Sequence, residues 1–317
     1  MKSVLFLRDF RQFTGGHLKV WHYFNHMLAA EGFAPRIWFS DETVWDASNP
    51  WFQMDSGLRV TDCCIEQADI LFLAGLDWLQ LSPEQRDRPG RPVINFIQHV
   101  RHADPKDPLS QFLKHDAIRI CVSQEVADAI LATGRVRGPV HTISNGLNLE
   151  SMPAPKDWNE RGTDLLILAS KRTRLGRFCA LLLWRPWRKL RLITESVPKA
   201  ELMAWLADSR RVLLLPHETE GFYLPALEAM ATGAQVICPD CVGNRSFCFD
   251  GQNCLRPGYK LGELLAAVRR GQRMDEPGLD ALLEAGQRTA REHSLFRERK
   301  KFHQLLAHCE ALQSLPK

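Results

Sequence analysis

Short runs of apolar, often β-branched residues alternate along this chain with longer amphipathic segments, and the alternation starts a second time in the second half. That pattern restricts the fold to parallel sheets covered by helices, because strands buried on both faces read as continuous apolar runs. In the first half the strands fall at Val4–Leu7, Arg36–Ser40, Ile70–Leu73, Val93–Ile97, Ile118–Val122 and His141–Ser144. Val20, Phe24, Met27 and Glu31 share one stripe of a long helix that Gly32 stops, and Glu125–Ala132 reads as another helix. In the second half the strands are Leu165–Ala169, Leu190–Ile193, Val212–Leu215 and Gln235–Cys238; the helices are Ala200–Ala207, Pro225–Ala231 and Leu261–Arg270. Between the halves lies MPAPKDWNERGTD (152–164), a linker by composition. At 317 residues the chain has about twice the length of an ordinary domain. Two doubly wound α/β domains, 1–155 and 156–295, are therefore expected, with ligands beyond the carboxyl ends of their strands.

Composition removes several other classes. With 45% hydrophobic and 25% charged residues, disorder and fibrous roles are excluded. The longest apolar runs, VLFL (4–7) and CALLLW (179–184), fall far short of the ~20 residues that span a bilayer. The opening MKSVLFLRDF is broken by Arg8 and Asp9, so it reads as a first buried strand and not as a signal peptide. Nine cysteines, with Cys63 and Cys64 adjacent, suit reduced thiols and a cytoplasmic protein. Charge is uneven: residues 1–160 carry −4 and residues 161–317 carry +8, with eight basic and no acidic residues between Leu165 and Thr194. A basic second half implies an anionic partner there. No G-x-G-x-x-G or Walker sequence occurs, which argues against dehydrogenase and nucleoside-triphosphatase readings.

The most informative stretch is VLLLPHETEGFYLPALEAMATGAQVICPD (212–240). A strand ends in the polar turn His217–Glu220, passes Gly221 and enters a helix near Pro225, a favoured first-turn residue. Free N–H groups at that turn and helix start would form an anion site. Glu220 and Glu228 are spaced to bond successive hydroxyl-bearing parts of one polar ligand.

From Glu220 to Ile237 the chain reads E-GFYLPAL-E-AMATGAQVI, which resembles the retaining GT-B glycosyltransferases, family 4 in particular, whose pattern is EGFGLPxLEAMAxGxPVI. Tyr223 stands where Gly is usual, near the donor sugar, and Gln235 where Pro is usual. Weaker matches are FTGGHLK (13–19) with Gly15 and Gly16, TISNGLN (142–148) with Asn145, ASKRTRLGR (169–177) and CVGNRSFCFDGQNCL (241–255). The resemblance implies a GT-B fold and metal-independent sugar transfer, with retention, from a nucleotide-diphosphate sugar to a hydroxyl acceptor. It gives Glu228 the donor ribose, and gives Glu220 with Gly221, Phe222, Tyr223 and Leu224 the sugar. Lys171, Arg172, Arg174 and Arg177, taken as a group, receive the diphosphate. His99, at a strand end in NFIQHVRH (95–102), is the candidate histidine, chosen over His102. No cofactor beyond the donor is implied. The resemblance also implies a C-terminal helix, within 296–317, that packs back on the first domain.

Plainer readings stand beside these. Glu228 could simply complement a helix macrodipole, and Gly15-Gly16 could be a tight turn alone. The basic run 171–191 with Trp184 and Trp187 suits a solvated face, a membrane surface at the inner leaflet, or a nucleic-acid site. The acidic first half argues against a long polyanionic acceptor. A nucleotide-sugar hydrolase or epimerase on the same fold is the rival enzyme. His22 and His26 sit at metal-compatible spacing without a third ligand, and Cys238-x-x-Cys241 lacks the second pair of a zinc ribbon.

Overall fold

The structure is a computed structural model and describes residues 1–62, 65–88, 90–309 and 312. The Cys63–Cys64 pair lies outside the described residues, as do residues 313–317 of the expected terminal helix. The chain divides into two compact units, Met1–Ser144 together with the stretch from Phe296 onward, and Asn145–Leu295.

The first unit is built on a parallel sheet of β1 (Lys2–Arg8), β2 (Phe33–Phe39), β3 (Arg59–Val60), β4 (Ile70–Ala74), β5 (Val93–Ile97), β6 (Ile118–Cys121) and β7 (Val140–Thr142). Its order is β3-β2-β1-β4-β5-β6-β7, so the chain doubles back at β1. β1, β4 and β5 are nearly or wholly buried along their lengths, as their apolar runs Val4–Leu7, Ile70–Ala74 and Phe96–Ile97 require, and buried Asn95 of β5 donates to Leu73 O at 3.2 Å. Helix α1 (Gly15–Leu28) follows β1, capped by the Thr14 hydroxyl, which accepts from the His17 N–H at 3.3 Å. The short α2 (Pro83–Arg86) and α3 (Gln124–Leu131) follow.

The second unit carries a parallel sheet of β8 (Thr163–Leu168), β9 (Leu190–Ile193), β10 (Ser209–Leu214) and β11 (Gln235–Ile237), in the order β11-β10-β8-β9. Its helices are α4 (Thr173–Leu183), α5 (Lys199–Ala207), α6 (Leu224–Ala231), α7 (Leu261–Gln272) and α8 (Glu276–Glu292). Two apolar layers flank the sheet, one holding Leu166, Leu214 and Leu227, the other Ile167, Leu213 and Leu264. Alternate strand residues thus feed opposite layers.

The crossing between units falls at Ser144, ahead of the Pro-rich stretch 152–164. The reason is Leu147, buried in the second core, whose N–H donates to His293 O at 2.7 Å and whose carbonyl accepts from Leu295 N at 2.8 Å. Helix α9 (Leu295–His308) then returns the chain to the first unit. There Phe302 packs edge-on to Tyr23 of α1 at 4.9 Å, and buried Glu298 bonds both Lys19 and His26. His22 and His26 are therefore placed by this tie: His26 Nε2 meets Glu298 at 2.9 Å, and His22 Nδ1 lies 3.2 Å from Lys19. No helix among the described residues is long and apolar enough to cross a membrane.

Candidate active site

β8 and β10 are neighbours, so the segments leaving their carboxyl ends are brought side by side. Lys171 and Arg172 leave β8, and Glu218 and Glu220 leave β10. Lys171 Nζ lies 3.3 Å from Glu220 Oε1, and Arg172 Nη2 lies 3.0 Å from Glu218 Oε1. Arg172 is further fixed by donating from Nε to Pro216 O at 3.0 Å and by lying over the Tyr259 ring at 4.3 Å. Tyr259 donates its own hydroxyl to Pro216 O, and burial raises its phenol well above the ordinary range, so it stays protonated. Two cations and two carboxylates from distant sequence thus share one edge of the sheet.

The segment 218–223 is clasped from outside by Cys241–Asn244. Val242 N–H donates to Glu218 O and Tyr223 N–H to Gly243 O, each at 2.9 Å. Gly243 is required by close approach, since a Cβ there would stand 2.6 Å from Phe222 N and 2.7 Å from Glu220 O. This contact corrects one expectation. The N–H groups of Tyr223, Leu224 and Ala226 are already bonded, to Gly243 O, Phe222 O and Tyr223 O, and Pro225 has none. The start of α6 is not the open anion site that the Gly-Phe turn suggested.

Glu228 lies in α6 and is only 3% exposed. Its Oε1 pairs with Lys199 at the start of α5, whereas its Oε2 is buried with no partner in the protein. Asn145 Oδ1 is likewise buried and unpartnered. Orphaned buried acceptors of this kind are uncommon and need an explanation.

The other residues of the stretch behave differently. The Tyr223 side chain is turned into the core, so it does not face a donor sugar, contrary to what its place in the motif suggested. Phe222 packs on Phe247 and His293, and Leu224 lies against the same core. From Phe222 to Leu224, only backbone is left to meet a ligand. Gln235 fits where Pro was expected because its amide bonds Arg211 and Gly271 O from within the core. Arg174 and Arg177 are not gathered with Lys171 and Arg172; they lie on the exposed face of α4 with Phe178 and Leu181.

In the first unit, Gly15 and Gly16 open α1 beyond the carboxyl end of β1. Gln98 donates to Gly16 O at 3.3 Å, tying this turn to the end of β5, where His99 follows. His99 Nδ1 accepts the Arg101 N–H at 3.0 Å, so the neutral ring carries its proton on Nε2. His102 is buried, and burial drives its pKa down to about 3, which leaves it a neutral structural ring. A cluster that sequence reading missed lies nearby: Arg8 donates to Asp77 at 2.9 Å and contacts His17 Nδ1 at 3.1 Å. Burial, with Arg8 adding to it, pushes His17 down to about 4, while burial lifts Asp77 to about 6 against the pull of Arg8. The available signal was position, because Arg8 ends β1, His17 lies in the first turn of the helix that follows it, and Asp77 lies three residues past β4.

Among the described residues, no three His, Cys, Asp or Glu side chains are grouped to hold a metal ion. Cys238, Cys241, Cys248 and Cys254 are fully buried, and burial raises the thiols of Cys238, Cys241 and Cys248.

No family model matches the chain, and neither does any curated protein sequence. Solved structures do. Sucrose-phosphate synthase from Thermosynechococcus elongatus superposes with a TM-score of 0.71 at 12% identity, covering 97% of this chain and 98% of its own. The Anabaena protein HepE, solved in complex with UDP-glucose, gives 0.74 at 12% identity over 97% of this chain and all of its own. The lipopolysaccharide outer core galactosyltransferase WaaB, in its apo form, gives 0.64 at 13% identity over 97% and 99%. The fold is GT-B. Identities of 12–13% carry the fold and no substrate with it.

Proposed function

We propose that the chain is a retaining, metal-independent glycosyltransferase of the family 4 type, moving a sugar from a nucleotide-diphosphate donor to a hydroxyl acceptor. The observation that carries the reading is Glu228 Oε2, a buried carboxylate oxygen with no protein partner, in the second Glu of the E-x7-E spacing. A ribose diol supplies the hydroxyl donors such an oxygen lacks. Lys171 and Arg172 would neutralise the diphosphate, and Glu220 with the backbone of Gly221–Tyr223 would receive the sugar hydroxyls. Solved neighbours were captured with UDP-glucose, with UDP, or with UDP-2-fluoro glucose, which supports a donor of this chemical class.

In the transfer, the bond between the anomeric carbon and the β-phosphate oxygen breaks, and its electron pair leaves with the nucleoside diphosphate. The acceptor oxygen bonds the anomeric carbon on the same face, and its proton passes to the departing phosphate oxygen. No protein nucleophile is required. Preorganised cations stabilise the charge that develops on the leaving group. On the first unit, His99 Nε2–H would bond the acceptor hydroxyl.

The test is a thermal-shift titration with UDP, GDP, ADP, TDP and CMP on the wild type and Glu228→Ala. A ligand that binds only the folded state raises its apparent stability. Stabilisation by one diphosphate, lost in Glu228→Ala, is the expected result; no response to any nucleotide sinks the reading. Product analysis with and without acceptor then separates transfer from hydrolysis.

A further inference from the structure

Helix α4 is apolar on two sides. Gly176, Cys179 and Leu183 face inward, with Gly176 so close to Ala169 that a Cβ would stand 2.2 Å from the Ala169 Cβ. At 100° per residue, Arg174, Arg177, Phe178, Leu181 and Leu182 share the opposite face. There Phe178 is 58% exposed and Leu181 72%, and the turn after the helix exposes Trp184 at 58% and Trp187 at 78%. A surface helix ordinarily puts polar residues on that side. Scattered exposed apolar residues need no explanation, but five within ten positions on one helix and its following turn make a patch.

The charged side chains interleaved with it have one sign, and the carboxylate beside the turn, Asp164, accepts the Lys189 N–H at 2.9 Å and pairs with Arg210. Arg174, Arg177, Arg185, Arg188, Lys189 and Arg191 interleave with these residues, and no acidic residue occurs from Leu165 to Thr194. Arg185 and Arg188 turn back to cap the helix end, donating to Leu182 O at 3.2 Å and Leu183 O at 2.5 Å. The Trp184–Lys189 turn is thereby held against the helix. We infer that the outward face of α4 and the Trp184–Lys189 turn form a docking surface for an anionic lipid bilayer.

Tryptophans and leucines ringed by arginine and lysine match a membrane interface, where indoles sit at headgroup depth and basic residues meet anionic lipid. A second copy of the chain fits worse, because a symmetric contact would press six cations on six with no acid between. The edge strand β9 repeats that bar, since Arg191 lies on it. Single-stranded nucleic acid would stack on the indoles but leave Leu181 and Leu182 without a partner. The inference is independent of nucleotide binding, since it uses neither Glu220 nor Glu228.

The test is flotation of the full chain with vesicles of phosphatidylcholine, with and without roughly one-third phosphatidylglycerol. Binding to the anionic vesicles should be at least about tenfold stronger and should fall as salt rises. Trp184→Ser with Trp187→Ser should lower it about tenfold or more, and so should Leu181→Gln with Phe178→Gln. Arg185→Glu with Lys189→Glu should remove the preference for anionic lipid. Since the apolar pairs are surface changes, each should keep the wild-type melting temperature, and two independent pairs are named so that misfolding of one leaves the other decisive. Three results overturn the inference: no flotation, flotation untouched by both apolar pairs, or a concentration-dependent dimer or single-stranded RNA complex that Trp187→Ser abolishes while vesicles do not bind.

Discussion

Two buried carboxylates in this molecule each face a lysine, and they differ in one oxygen. Glu298, in the first unit, spends both: Lys19 meets one and His26 the other. Glu228, in the second, spends one on Lys199 and leaves Oε2 buried and unpartnered. Lys19 is itself fully buried, whereas Lys199 is about half exposed. A carboxylate closed on all sides fixes the fold, since losing either partner strands a charge in the interior. A carboxylate left half open costs the fold free energy that only a ligand's hydrogen-bond donors return. The comparison sets a closed structural acid against the acid proposed above to bind the donor.

The largest break of that comparison is Glu298→Ala. It strands Lys19 next to α9 and should destabilise the protein by about 3–5 kcal/mol in urea unfolding. Lys19→Met combined with Glu298→Leu should recover most of this, because well-packed apolar replacements of buried ion pairs are often neutral. A single variant as stable as wild type would mean that the α1–α9 tie is ornamental.

Acid should find the same site. Burial favours the neutral Glu298 carboxyl, but Lys19 and His26 outweigh it and hold the pKa at about 2, below its ordinary 4.5. A depressed carboxyl contributes stability that is present above its unfolded pKa and is lost as pH falls towards the folded value. His102, held by burial at about 3 from an ordinary 6.5, has the same sign, because the unfolded ring takes its proton first. His17, at about 4, adds to this loss, while Asp77, raised to about 6, opposes it between about 6 and 3.8; the two histidines outweigh the one carboxyl, so stability should decline from about pH 6.5 downward and most steeply below about 4.5. Unfolding midpoints at stepped pH check this, and Glu298→Gln should flatten the lower part of the curve.

A smaller effect tests the clasp that positions the binding side. Gly243→Ala places a methyl group against the backbone of Glu220 and Phe222, and should cost about 1–3 kcal/mol by overpacking. Nucleotide stabilisation should weaken with it, because Glu220 moves. Retained stabilisation in a destabilised variant would show that the loop is not part of the site.

The sequence was legible where one local rule decided the outcome. Strands such as Ile70–Ala74 are apolar at every position, and a buried parallel strand leaves no other choice. β3 spans two residues and carries no pattern to read. Helix α4 escaped because Arg172 before it gives no capping side chain and its end, CALLLW, reads as one continuous apolar run. Helix α8 opens Glu276-Pro277-Gly278 and contains Gly286, all of which look like breaks. Pro277 in fact sits in the first turn, where its missing N–H costs nothing, and Gly286 lies against Met230 and Asn253 O. In the candidate site, Glu220 and Glu228 could be found by spacing. Lys171 was reached through the resemblance, as a diphosphate ligand, but its pairing with Glu220 was not, and Lys199 was not reached at all, since each arrives from another element and only the packing of the sheet and helices brings it there. The Arg8–Asp77–His17 cluster was hidden for the same reason.

The smallest effect on stability, and the sharpest on the comparison, belongs to Glu228→Gln. The amide keeps the shape of the carboxylate and lowers the charge that Lys199 meets. Because Lys199 is half exposed, solvent screens the pair, and the loss should stay within about 1 kcal/mol. The same substitution at Glu298 removes a charge that two buried partners need, and should cost several times more. Ligand binding should rank the two the other way. An amide offers one acceptor where the carboxylate offers two, so a diol held by Oε2 should lose about tenfold in affinity at Glu228→Gln and nothing at Glu298→Gln. Calorimetric titration of both variants with the nucleotide that stabilises the wild type reads the two rankings together. Equal losses of affinity would make the unpartnered oxygen an accident of packing.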